Sequence, residues 1–83
     1  MLEFKFDTQL LIEGHDLDED AINDYFTSNF KGDCLLAVGD DELIKIHYHT
    51  NEPWKVLEYC AKLGDIYDIV VENMERQSSG LHG

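Results

Sequence analysis

His47 and His49, one residue apart, are the side chains of this sequence best suited to chemistry. They lie in the segment 43–50, where Ile44, Ile46 and Tyr48 alternate with Lys45, His47 and His49. A period of two marks a half-buried strand, so the two histidines share its polar face. Strand residues two apart are separated by roughly 6.6 Å, which lets both imidazoles lean toward one ion. Asp7 belongs to a second alternating segment, 2–13. There Leu2, Phe4, Phe6, Thr8, Leu10 and Ile12 fall on one face, and Glu3, Lys5, Asp7, Gln9 and Glu13 on the other, with Leu11 the exception. If the aromatic face is buried, Asp7 points to the same open surface as the histidines. Two imidazoles and one carboxylate form a recognised divalent-metal set with positions left for water. His47, His49 and Asp7 are therefore the candidate metal ligands, for zinc or another divalent transition metal. The alternative is two polar residues on a solvated face with no metal. Lys45, a cation on that face, argues for the alternative, and the acidic excess of the chain argues for the ion.

Other residues offer less. His15 falls in a turn and His82 near the C-terminus, and both read as surface residues. Cys34 and Cys60 lack metal-ligand spacing and read as core or boundary fillers rather than nucleophiles. Asp40-Asp41-Glu42 lacks the pattern of a calcium loop and reads as a solvated turn. The glycines are isolated turn and cap residues, so no phosphate-cradling loop is present. No catalytic residue and no organic cofactor site stands out.

The elements that must position the ligands follow in order. Gly14-His15-Asp16 ends the first strand. Asp18 is a suitable N-cap for a helix over 19–31, with Leu17 and Ile22 placed as a hydrophobic staple. Ile22, Tyr25, Phe26, Asn29 and Phe30 give that helix an inward stripe, and Gly32 is expected to close it. Leu35 to Val38 reads as a short strand, joined through Gly39-Asp40-Asp41-Glu42 to the strand carrying the histidines. Pro53 suits the first turn of a second helix, 52–63, with Gly64 as its C-cap residue. Residues 66–72 form the last strand. The order β-α-β-β-α-β predicts an α+β fold, the ferredoxin-like two-layer sandwich, with a four-stranded sheet and both helices on one face. Right-handed crossovers then place the first and third strands side by side, antiparallel, in the centre. Residues 1–77 are expected to form a single domain and 78–83 a flexible C-terminal tail.

Composition narrows the partners. The 83 residues include 18 acidic and six basic side chains, for a formal net charge of −12. Such a chain repels phosphate backbones and anionic bilayers, so neither nucleic acid nor a membrane surface is an expected partner. A basic protein partner or a bound cation fits better, and the open sheet face is the surface through which self-association is expected. No apolar run approaches the ~20 residues of a membrane span and no signal peptide opens the chain, so the expectation is cytoplasmic.

The words GDDELIKIHYHTNEP, at 39–53, and ENMERQ, at 72–77, carry a further signal, with Val56-Leu57-Glu58-Tyr59 and Leu63-Gly64-Asp65 between them. Over residues 4–77 the chain resembles the middle domain of bacterial fatty-acid kinase ATP-binding subunits, the proteins related to dihydroxyacetone kinase. In that family a nucleotide-binding kinase domain precedes this region, and a domain contacting the fatty-acid carrier follows. The resemblance thus implies a standalone middle domain that neither binds ATP nor phosphorylates by itself. It also implies a zinc site made by the two histidines of the H-x-H motif, matched by His47 and His49, and by a cysteine on the first strand. Asp7 stands at the cysteine's position. A carboxylate is a harder ligand than a thiolate, so iron, manganese or an empty site become alternatives to zinc.

The function expected is a non-catalytic accessory or interaction domain, with metal bound by Asp7, His47 and His49. Two alternatives belong to other classes. One is a small metal-dependent hydrolase, for which no separate general base is evident. The other is a small-molecule-sensing regulatory domain, for which no residue marks a ligand.

Overall fold

Alternation builds the centre of the sheet. In the computed structural model, which describes residues 2–83, strands β1 (Phe6–Glu13) and β3 (Leu43–Thr50) pair antiparallel over their whole length. Strand β2 (Gly32–Gly39) adds to the outer edge of β3, and β4 (Asp65–Asn73) to the outer edge of β1. The order is β2-β3-β1-β4, all neighbours antiparallel. Helices α1 (Glu19–Asn29) and α2 (Pro53–Leu63) cross between the strands, and a short α3 (Met74–Ser78) follows β4. This is the ferredoxin-like α+β arrangement. Among the described residues, no helix is long and apolar enough to cross a membrane.

One core lies between the helices and one sheet face. Leu10, Ile12, Ile44, Ile46 and Tyr48 from the sheet meet Ile22 and Phe26 of α1 and Val56 and Cys60 of α2. On β1 and β3 every core residue is even-numbered, and the odd-numbered Asp7, His47 and His49 are left on the uncovered face. The ring of Phe26 stands edge-on to Phe30, Tyr48 and Tyr59, and Tyr25 stacks on Tyr59 at 3.8 Å at the rim. The Asp18 carboxylate accepts from the Ala21 N–H, capping α1. Asn23 Nδ2 donates to the Ala37 carbonyl and ties the helix to β2.

Three boundaries differ from those expected. The first strand begins at Phe6 rather than at residue 2. Its partner β3 ends at Thr50, opposite Phe6, so no backbone is available further on. The side chain of Asn51 takes over, accepting from Lys5 N–H and donating to the Glu3 carbonyl. Met1, the first residue of the expected domain, lies outside the described residues. Helix α1 ends at Asn29, and Phe30 turns into extended backbone, which lays its ring against Tyr25 and Phe26. Gly32 therefore does not close the helix. It opens β2, which starts three residues earlier than expected. A Cβ there would overlap the His49 carbonyl and the Tyr48 ring, so glycine is required for β2 to approach β3.

The sheet contains one buried hydroxyl without a use. Thr8 is fully buried between Tyr48 and Val71, and among the described residues its Oγ1 has no partner. Thr50, also buried, donates to the Lys31 carbonyl at 2.9 Å. An unpaired buried hydroxyl costs about 1–3 kcal/mol of desolvation. Thr8→Val, of nearly the same shape, is expected to raise stability by about 1 kcal/mol, read as a higher urea midpoint at unchanged slope. A lowered midpoint would mean that the hydroxyl is satisfied after all.

Candidate metal centre

The strand register brings the three expected ligands together. Asp7 on β1 is directly opposite His49 on β3, and Gln9 is opposite His47. His47 Nε2 lies 2.9 Å from Asp7 Oδ1, and His49 Nε2 lies 3.8 Å from the same oxygen. The two Nε2 atoms are 3.2 Å apart. All three side chains are partly buried, from 19% to 32% exposed, so the cluster is accessible from the open face yet partly shielded from water.

This spacing fits a metal. Ligand atoms bonded to one tetrahedral ion at 2.0–2.1 Å are about 3.3 Å from each other. The observed 2.9, 3.2 and 3.8 Å bracket that edge. Without an ion the proton count is awkward. Only one Nε2–H of the neutral histidines can serve both short contacts of His47, and a carboxylate offers no proton. A divalent cation accepts all three lone pairs at once.

The surroundings are negative. Across the sheet the row through Asp7 reads Asp33 on β2, His49 on β3, Asp7 on β1 and Glu72 on β4. Asp33 Oδ1 approaches His49 Nδ1 to 3.6 Å, just beyond hydrogen-bond distance. Gln9 Nε2 reaches toward both Asp7 oxygens at 3.3 and 3.5 Å. Glu72 accepts from Gln77 Nε2. The basic residues nearby are engaged elsewhere or set apart: Lys5 Nζ sits over the Phe6 ring, and Lys45 is paired in register with Leu11 and Val38.

The remaining candidates fall as follows. Asp40 is a turn residue whose carboxylate accepts from the Glu42 and Leu43 N–H groups, which holds it below the usual carboxylate range. Cys60 is in the core, and burial pushes its thiol up to about 12. Cys34 is no filler. It is exposed, and with Asp33 it forms a second triad with His49 whose ligand atoms lie within 4.8 Å of one another. Sequence reasoning missed this pair because Gly32-Asp33-Cys34 looks like the exit of a helix. The signal lies in the pairing of Asp33 with His49, which no local pattern carries.

Comparison with known proteins bears on the family of the chain. A family model for the middle domain of FakA-like fatty acid kinase proteins matches residues 3–81. Protein YloV of Bacillus subtilis is 30% identical over 82 residues, which cover 96% of this chain and 15% of YloV. Uncharacterized protein SERP0792 of Staphylococcus epidermidis is 46% identical over 46 residues, covering 55% of this chain and 8% of that protein. Uncharacterized protein SAUSA300_1119 of Staphylococcus aureus is 44% identical over 46 residues, again 55% of this chain and 8% of that protein. The chain thus spans a small part of the length of these relatives.

Proposed function

The chain belongs to the FakA-like middle-domain family of fatty acid kinase proteins, and on that premise we propose that it is a non-catalytic accessory domain holding one divalent metal ion on Asp7, His47 and His49. The observation that carries this reading is the convergence of one carboxylate oxygen and two imidazole nitrogens on adjacent strands. Zinc suits the set, and iron or manganese suit it as well. When bound, the ion supplies a cross-link between β1 and β3 and neutralises part of a strongly negative sheet face. That face, outside the helical layer, is the surface offered to other domains or proteins of the kinase-like assembly. The charge of −12 favours a partner with a basic surface.

Elemental analysis of untagged protein tests the reading. The expected result is about one equivalent of transition metal in the wild type, lost in Asp7→Ala and in His47→Ala. Equal metal content in all three proteins would sink the proposed site.

A further inference from the structure

Strand β2 passes His47 and His49 with one residue too many. Asp33 pairs with His49 and Leu36 with His47, so three steps on β2 oppose two on β3. The extra residue is accommodated at Cys34, whose φ is +55°. In a regular strand, neighbours point to opposite faces, and Cys34 would turn away from Asp33. The bulge instead leaves both beside His49. Strand β4 carries the same kind of irregularity beside Gln9 and Leu11, and there the left-handed residue is Asp68. Aspartate tolerates that backbone well, whereas cysteine adopts it at a cost. Disrupting an edge against strand addition needs no cysteine. What Cys34 adds is a soft ligand, on the far side of the imidazole from the first cluster. Asp7 and His47 face His49 Nε2, whereas Asp33 Oδ1 lies 3.6 Å from His49 Nδ1.

We propose that Asp33, Cys34 and His49 Nδ1 form a second metal site, for a thiolate-seeking divalent ion such as zinc or cadmium. This site goes beyond the one at Asp7, His47 and His49, because its own three ligands stand whether or not the first is filled. A carboxylate oxygen, a sulfur and an imidazole nitrogen lie within 4.8 Å of one another there. On one zinc ion, oxygen and nitrogen are about 3.3 Å apart and sulfur and nitrogen about 3.6 Å. The observed oxygen-to-nitrogen separation of 3.6 Å is close to that edge, and a rotation about χ1 of the exposed Cys34 brings in the sulfur. Sulfur also sets the two sites apart, since the first offers nitrogen and oxygen only and soft ions favour thiolate. Asp33 and Cys34 are both exposed, so the second site is the weaker and fills with added metal, after the first. With both filled, His49 bridges two ions. A neutral imidazole carries one N–H. The second ion takes the place of that proton, which passes to solvent together with the thiol proton of Cys34.

Cobalt(II) titration of untagged protein tests this without reference to any activity. Wild-type protein is expected to take up about two equivalents and to develop a sulfur-to-cobalt charge-transfer band in the near ultraviolet. The double variant Asp7→Ala/His47→Ala should take up about one equivalent and keep the band. Cys34→Gly should also take up about one, without the band, while folding at least as well, because glycine accepts the left-handed backbone. Asp33→Ala should bind the second equivalent at least roughly 10-fold more weakly. Cobalt bound without a sulfur band in the wild type would overturn the second site and leave the first standing. Loss of the band in Asp7→Ala/His47→Ala would overturn it too, by placing the sulfur on the first ion. A band that persists in Cys34→Gly would belong to Cys60 and count equally against it. A single equivalent in the wild type, kept with its band in the double variant, would sink the first site and leave the second. Failure of the wild type to bind cobalt at all would overturn both.

Discussion

Saturating zinc is expected to raise the melting temperature of this protein by roughly 10–20 °C, and His49→Ala is expected to abolish the rise. The magnitude follows from linkage. A ligand at a hundredfold excess over its dissociation constant stabilises the folded state by about 2.7 kcal/mol. A domain of this size shifts by about 4–8 °C per kcal/mol. His49 is the residue to remove because it stands at the crossing of the contacts. Its Nε2 faces Asp7 and His47, and its Nδ1 faces Asp33. The metal-free variant should melt within a few degrees of the metal-free wild type, since the side chain lies on the open face and outside the core. Acidification should shrink the zinc effect, because protons compete for the same lone pairs. Differential scanning calorimetry with and without zinc reads all of this. An undiminished zinc shift in His49→Ala would place the ion elsewhere on the protein.

Phe26→Ala is expected to cost about 3–5 kcal/mol. Total stability for 83 residues is of the order of 4–12 kcal/mol, so the substitution removes a large share of it. The reason is position. Phe26 is fully buried, and its ring is edge-on to Phe30 at 5.0 Å, to Tyr48 at 5.1 Å and to Tyr59 at 5.9 Å. It is the contact through which α1 grips β3 and α2 together. Tyr25, one residue away and 39% exposed, should cost clearly less when cut to alanine. Urea unfolding of both variants makes the comparison, and an order reversed from this one would contradict the packing described. Zinc should stabilise Phe26→Ala by the same increment as the wild type, because the proposed metal site and the aromatic cluster lie on opposite faces of the sheet and share no partner.

These two experiments probe the two sides of one strand. Tyr48 faces Phe26, and its neighbours His47 and His49 face Asp7. A shift of β3 by one residue would put the histidines in the core and Tyr48 in solvent. Burial of Ile44, Ile46 and Tyr48 therefore holds the two imidazoles on the open face as firmly as it holds the core.

Much of this was legible in the chain alone. Alternation is a local property of extended backbone, since successive side chains point to opposite faces. Residues 6–13 and 43–50 therefore declared which of their side chains would share a surface. Asp18 as a cap, Pro53 in the first turn of α2 and the order of the elements were equally local signals. From the order, right-handed crossovers placed β1 beside β3. Two things lay beyond such reasoning. The pairing offset of Asp7 with His49 sets the distances among Asp7, His47 and His49, and it is decided by how the helices close over the even-numbered residues of β1 and β3. The course of β2 was misjudged, because Gly32, Asp33 and Cys34 have turn chemistry and become strand only when β3 supplies the hydrogen-bonding partner. His47 and His49 were visible as a pair from their spacing. That Asp33 and Cys34 stand beside them was decided by the tertiary structure, because an edge strand takes its conformation from its neighbour.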